Sequence, residues 1–154
     1  MPHIHEKIDF TVEVFVVHKD RVLLRKHDKY GIWLSVGGHV ELDEDPNEAA
    51  IREVREEVGL EIELYDSRIF KEDGVDRTEL IPPIGLYGNR ISETHEHVTM
   101  VYFARAWSDA VIPETEKDEW RWCRKDEIRT LENIREDVVF YAEYALEKLG
   151  GQKK

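Results

Sequence analysis

Residues 10–18 and 21–25 are runs rich in β-branched and apolar residues, and Lys19-Asp20 between them reads as a turn, so the chain opens on a predicted hairpin. A third predicted strand, 33–36, runs into the glycine pair Gly37-Gly38. Apolar positions then recur at helical spacing, with Ala50, Ile51, Val54 and Val58 on one face, which is the face to be buried. Further strands are predicted over 61–64, 67–70, 98–106 and 120–123. A loop region with Gly74, Pro82, Pro83, Gly85 and Gly88 separates the second and third of these. A short helix near 126–131 and an amphipathic one over 136–149 close the chain. Val138, Tyr141, Ala142, Ala145 and Leu149 form the apolar stripe of the last helix, and core packing accounts for it. Strands alternating with helices point to an α/β fold.

The central helix carries its own boundary signals. Asp45 is a capping residue, Pro46 suits the first helical position, and Glu48 stands three residues after Asp45 as in a capping box. Gly59 takes the left-handed conformation past a helix end most easily, so the helix is predicted over 46–58. Glu53, Glu56 and Glu57 gather on a second face. Carboxylates at i, i+3 and i+4 repel by about a few tenths of a kcal/mol per pair, so the cluster needs a reason. A hard divalent ion such as Mg²⁺, with Mn²⁺ as a substitute, supplies one, because it prefers carboxylate and carbonyl oxygens and bridges to phosphates. Ala49, one turn before Glu53, leaves room for an ion or phosphate, and Gly37 and Gly38 let the preceding loop come close. Arg52, flanked by Glu48 at i−4 and Glu56 at i+4, is placed to orient the carboxylates. A solvated charge-rich helix is the ordinary alternative for such a run.

Segment 38–60 reads GHVELDEDPNEAAIREVREEVGL: Gly38, five residues, Glu44, seven residues, then Arg52-Glu53-Val54, Arg55, Glu56-Glu57, Val58 and Gly59-Leu60. The spacing resembles the signature of the Nudix hydrolases, enzymes that cleave nucleoside diphosphates linked to another group. Val36 and Asp43 stand where many members have proline and glycine; neither position supplies a ligand side chain, so altered loop stiffness is expected. The resemblance implies an α/β/α sandwich with a mixed sheet and a loop-helix-loop catalytic motif. It also implies metal ligation by Glu53, Glu56, Glu57 and the Gly38 carbonyl.

Composition narrows the setting. The 154 residues, 41% of them hydrophobic, suit one domain spanning 1–154. The beginning lacks a signal-peptide layout and no apolar run reaches membrane-spanning length, so no membrane partner is expected. With one cysteine, Cys123, no internal disulfide forms and a cytoplasmic location is expected. A net charge of −12 disfavours long nucleic acids and leaves small nucleotides, which arrive as metal complexes, as the expected partner. A homodimer is compatible with the sequence.

Hydrolysis of a pyrophosphate needs an activated water, and some members of the family take the base from a glutamate shortly before the tryptophan opening the final strand. Here Glu114, Glu116 and Glu119 precede Trp120 and Trp122, which makes Glu116 the first loop candidate, with Glu53 the helix candidate and Glu119 beside it. Arg25, Gly37, Gly38, Trp33 and Glu119 are candidates for substrate contact. His95-Glu96-His97 is too weak a pattern for a transition-metal site and reads as a substrate edge or a solvated edge. A small nucleoside triphosphate is the expected substrate; ADP-ribose or nucleotide-sugar cleavage, RNA 5′-end hydrolysis and non-catalytic nucleotide sensing are the alternatives. The residues Val75-Asp76-Arg77-Thr78 lack the tyrosine or proline that marks some dinucleotide and ADP-ribose subfamilies.

Overall fold

The structure is a computed structural model, described for residues 7–151. Two long strands, β1 (Ile8–His18) and β7 (His95–Ala106), lie parallel at its centre, in register from Ile8 opposite Glu96 to Val17 opposite Arg105. The other pairings between these strands are antiparallel. Strands β4 (Val36–His39) and β2 (Arg21–Lys26) flank successive parts of β1, and β6 (Gly85–Ser92) and β5 (Ile62–Leu64) flank successive parts of β7. Strands β3 (Trp33–Leu34) and β8 (Glu119–Cys123) pair with β2 and extend the sheet. Alternation along β1 splits the core in two. Val12, Val14 and Val16 pack with helix α1 (Pro46–Val58), whereas Phe15 and Val17 pack with α2 (Lys125–Ile128) and α3 (Glu136–Leu149) on the opposite face. The result is the expected α/β/α arrangement with a mixed sheet.

The first hairpin, α1 and α3 form where the sequence predicts them, and four segments depart from expectation. The third strand breaks after Leu34: β3 pairs with β2 and β4 with β1, so Gly37 and Gly38 lie in a strand rather than a loop. Residues 67–70 form no strand, because Arg68 turns inward onto Asp66 and Asp73 and leaves Ile69 fully exposed. Residues 85–92, expected as loop, are strand β6. Its positions are mostly exposed, so no apolar alternation announces it, and Gly85 is required because a Cβ there would collide with the Tyr141 hydroxyl. Ala49 is fully buried in the core under α1 rather than lining open space, while Ile51 is only partly buried.

Gly59 sits at φ +68°, and a Cβ added there would stand 3.1 Å from the Cβ of Ile112. Gly59→Ala should therefore cost about 1–2 kcal/mol from the left-handed backbone alone, read as a lower urea midpoint at unchanged slope. An unchanged midpoint would contradict this end to the helix.

Candidate active site

Helix α1 begins as a reciprocal cap: Glu48 N–H donates to Asp45 Oδ1 at 2.9 Å and Asp45 N–H to Glu48 Oε1 at 2.9 Å. Glu48 is thereby occupied, and Arg52 turns instead to Glu44. Its Nε and Nη2 donate to the two Glu44 oxygens at 2.9 and 2.7 Å, a bidentate pair that holds the Glu44 carboxyl below its usual range. Arg52 Nη1 reaches Glu56 Oε1 at 3.0 Å and Glu53 Oε2 at 3.2 Å, and Nη2 also donates to the His39 carbonyl at 2.9 Å. One guanidinium thus ties the helix carboxylates to β4 and to the loop between them.

Glu53 and Glu57 turn toward the glycine strand, their side chains 13% and 15% exposed, while Glu56 remains half in solvent. Gly37 N–H donates to Glu57 Oε1 at 3.3 Å, and a Cβ on Gly38 would occupy the space of the Glu53 carboxylate. Only glycine allows that approach. Burial raises both carboxyls, Glu57 to about 7, because the nearby Arg25 offsets only part of the desolvation and Glu53 adds repulsion. Clustered, partly desolvated carboxylates beside a main-chain strand make an oxygen-rich donor set that fits a hard divalent cation.

A cleft of about 30 Å³ opens beside this face, lined by Arg25, Glu57, Glu114, Thr115, Asp118 and Trp120. Arg25 Nη1 lies 3.8 Å from Glu57 Oε2 and 3.2 Å from Asp118 Oδ2, with its guanidinium 5.7 Å from the Trp120 ring centre. The loop before β8 is laced to the helix end, Ile112 N–H to the Val58 carbonyl at 2.8 Å and Glu114 N–H to the Glu57 carbonyl at 2.9 Å. The structure therefore brings together Arg25, Gly37, Gly38, Arg52, Glu53, Glu56 and Glu57. Glu116 is exposed and does not line the cleft, and Glu119 is exposed at the start of β8, opposite Lys26. Trp33, a candidate for substrate contact, does not line this cleft: it is 5% exposed, packed with the α3 side of the core, and its main-chain N–H donates to the Asn133 carbonyl. Sequence reasoning placed Glu114 behind Glu116 and did not single out Asp118, because one acidic loop offers several equivalent carboxylates and only the fold chooses among them.

His95 and His97 do not point to open solvent. His95 Nε2 lies 3.1 Å from the buried Asp9 Oδ2, and His39 Nε2 lies 3.6 Å from the same oxygen. Asp9 and His39 are too distant in the chain for the short motif to have revealed the grouping.

The family model of the NUDIX domain matches residues 8–144. The chain belongs to the NUDIX family. A NUDIX-family hydrolase from Clostridium perfringens is 35% identical and superposes with a TM-score of 0.78 over 90% of this chain and 96% of that one. A dihydroneopterin triphosphate diphosphatase from Haemophilus influenzae is 34% identical over 88 residues; the match spans 56% of this chain and 56% of that relative. A MutT protein from Methanosarcina mazei, 20% identical, shares the fold with a TM-score of 0.66 over 92% of this chain and 95% of that one. The Clostridium perfringens neighbour is a hydrolase, and the chain spans about half the length of the curated diphosphatase that it matches.

The raised Glu57 carboxyl has a consequence for stability. Its folded value of about 7 lies above the ordinary 4.5, so the folded protein binds an extra proton between those values. The associated stability is fully present below about 4.5 and lost as pH rises through about 7. In chelator, Glu57→Gln should melt higher than wild type at pH 8, and the gap should close toward pH 5. A gap that does not vary with pH would contradict the assigned burial of this carboxylate in the NUDIX helix.

Proposed function

We propose that the chain is a divalent-metal-dependent pyrophosphohydrolase of small nucleoside triphosphates or closely related triphosphate esters. The single observation that carries this reading is the packing of Glu53 and Glu57 against the glycine strand with Glu56 beside them, Arg52 holding Glu53 and Glu56 and Arg25 lying next to Glu57. Similarity to a diphosphatase of dihydroneopterin triphosphate favours a triphosphate over a nucleotide sugar or ADP-ribose. The buried Cys123, its thiol pushed up to about 11 by desolvation, is consistent with a cytoplasmic setting and no nucleophilic role.

Glu53, Glu56, Glu57 and the Gly38 carbonyl would hold Mg²⁺ or Mn²⁺, which when bound supplies Lewis-acid polarisation of phosphoryl oxygen and offsets leaving-group charge. Arg25 orients a phosphate at the cleft, taking its charge in place of part of Asp118. A water oxygen bonds to phosphorus, the bridging P–O bond breaks with its electrons on the departing phosphate, and the water proton passes to a carboxylate. Glu114 is better placed for that proton than Glu116, because its main chain is fixed to Glu57 and its side chain lines the cleft.

Activity on a nucleoside triphosphate panel should vanish in chelator and return with Mg²⁺ or Mn²⁺; turnover in metal-free buffer would sink the reading. Glu56→Gln and Glu57→Gln should each lower kcat by orders of magnitude with the fold retained. Glu114→Gln should lower kcat about 10²–10⁴-fold at an unchanged Mg²⁺ requirement. Glu53→Gln should instead raise the Mg²⁺ needed, since added metal partly rescues a lost ligand. If Glu116→Gln shows the larger kcat loss, the proton acceptor is Glu116.

A further inference from the structure

Four side chains from three neighbouring strands meet where β4, β1 and β7 run side by side. Asp9 stands opposite His97 in the parallel register of β1 and β7, and His95, two residues earlier, projects from the same face. His39, opposite Thr11 at the end of β4, reaches Asp9 from the other flank. Donor atoms of Asp9, His95 and His97 all lie within 4.8 Å of one another. Asp9 is 4% exposed. The rings of His39 and His95 each stand edge-on to His97, with centres 5.1 and 5.2 Å away.

A carboxylate this buried needs compensating charge, and imidazoles can meet that need in two ways: by carrying a proton or by sharing a cation with it. The donor set favours the cation. Neutral imidazole with carboxylate suits Zn²⁺, Co²⁺ or Ni²⁺ and is a poor match for Mg²⁺. We propose that Asp9, His95 and His97, with His39 as fourth donor, form a binding site for a divalent transition ion of the Zn²⁺ class, distinct from the carboxylate face of α1. Asp9 continues the odd-numbered face of β1 that turns toward α3, whereas Val12, Val14 and Val16 turn toward α1, so the two sites lie on opposite faces of the sheet. Tetrahedral donors around Zn²⁺ are about 3.4 Å apart, so side-chain rotations of about an ångström close the cage. An ion there would clasp the ends of β4, β1 and β7. It would also steady β4, whose His39 carbonyl Arg52 holds and whose glycines face Glu53 and Glu57.

The test uses the tag-free full chain, stripped of metal and titrated with Co²⁺. Because the α1 carboxylates can also take Co²⁺, the titration is repeated on a Glu53→Gln/Glu56→Gln/Glu57→Gln variant. The proposal expects one equivalent with a ligand-field absorption band of nitrogen-containing coordination, present in wild type and in the triple variant, displaced by Zn²⁺ and indifferent to millimolar Mg²⁺. It further expects that Zn²⁺ raises the melting temperature of both proteins. The band and the Zn²⁺-dependent shift should be lost in His95→Ala/His97→Ala and in the near-isosteric Asp9→Asn, whose fold is checked by circular dichroism. Absence of the band in wild type, its loss in the triple variant, or its survival in both Asp9→Asn and the double histidine variant would overturn the proposal.

Discussion

Arg52 joins three pieces of chain that would otherwise repel or drift apart. Its guanidinium spans Glu44 in the connecting loop, Glu53 and Glu56 on α1, and the carbonyl of His39 at the end of β4. Like-charge pairs on the helix cost about a few tenths of a kcal/mol each, whereas a hydrogen bond to a charged partner contributes about 1.5–3 kcal/mol. With the Arg52 side chain 19% and that of Glu44 11% exposed, solvent screening leaves much of that contribution intact. The arginine therefore prevails over the repulsion and holds the acidic surface in place by itself. Removing it would release the loop, the strand and the carboxylates together.

The remaining geometry follows from how closely β4 can lie against α1. Gly38 gives the strand no side chain on the approach to Glu53, and Glu57 accepts from the Gly37 amide. Desolvation is the cost of that closeness. It raises the Glu53 and Glu57 carboxyls and makes the face receptive to positive charge, the role Arg25 partly fills from β2.

Local chemistry was legible in the sequence wherever it decides structure by itself. The capping box of Asp45 and Glu48, Pro46 at the helix start and Gly59 beyond its end fixed α1 to the residue, and the spacing of the glutamates fixed its acidic face. Features that depend on distant partners were hidden. Arg52 chooses Glu44 over Glu48 because the cap has already engaged Glu48. Strand β6 exists because β7 offers its edge, not because its own residues alternate. Trp33 was a candidate for substrate contact, yet β3 delivers it to the core beneath α3. Asp9, His39, His95 and His97 meet only through strand register, which no short motif encodes.

The lacing of the loop before β8 to the end of α1 runs through main-chain atoms, the amides of Ile112 and Glu114 on the carbonyls of Val58 and Glu57. Those carbonyls belong to the last turn of the helix, where no intrahelical donor remains. Loop and helix end therefore fray as one unit, and peeling the loop away strips the helix of its terminal bonds. Because the stitches contain no side-chain atoms, the exposed residues along this loop can be exchanged without loosening its seat. The cleft wall can thus be rewritten for a different substrate while the helix it is sewn to stays in place.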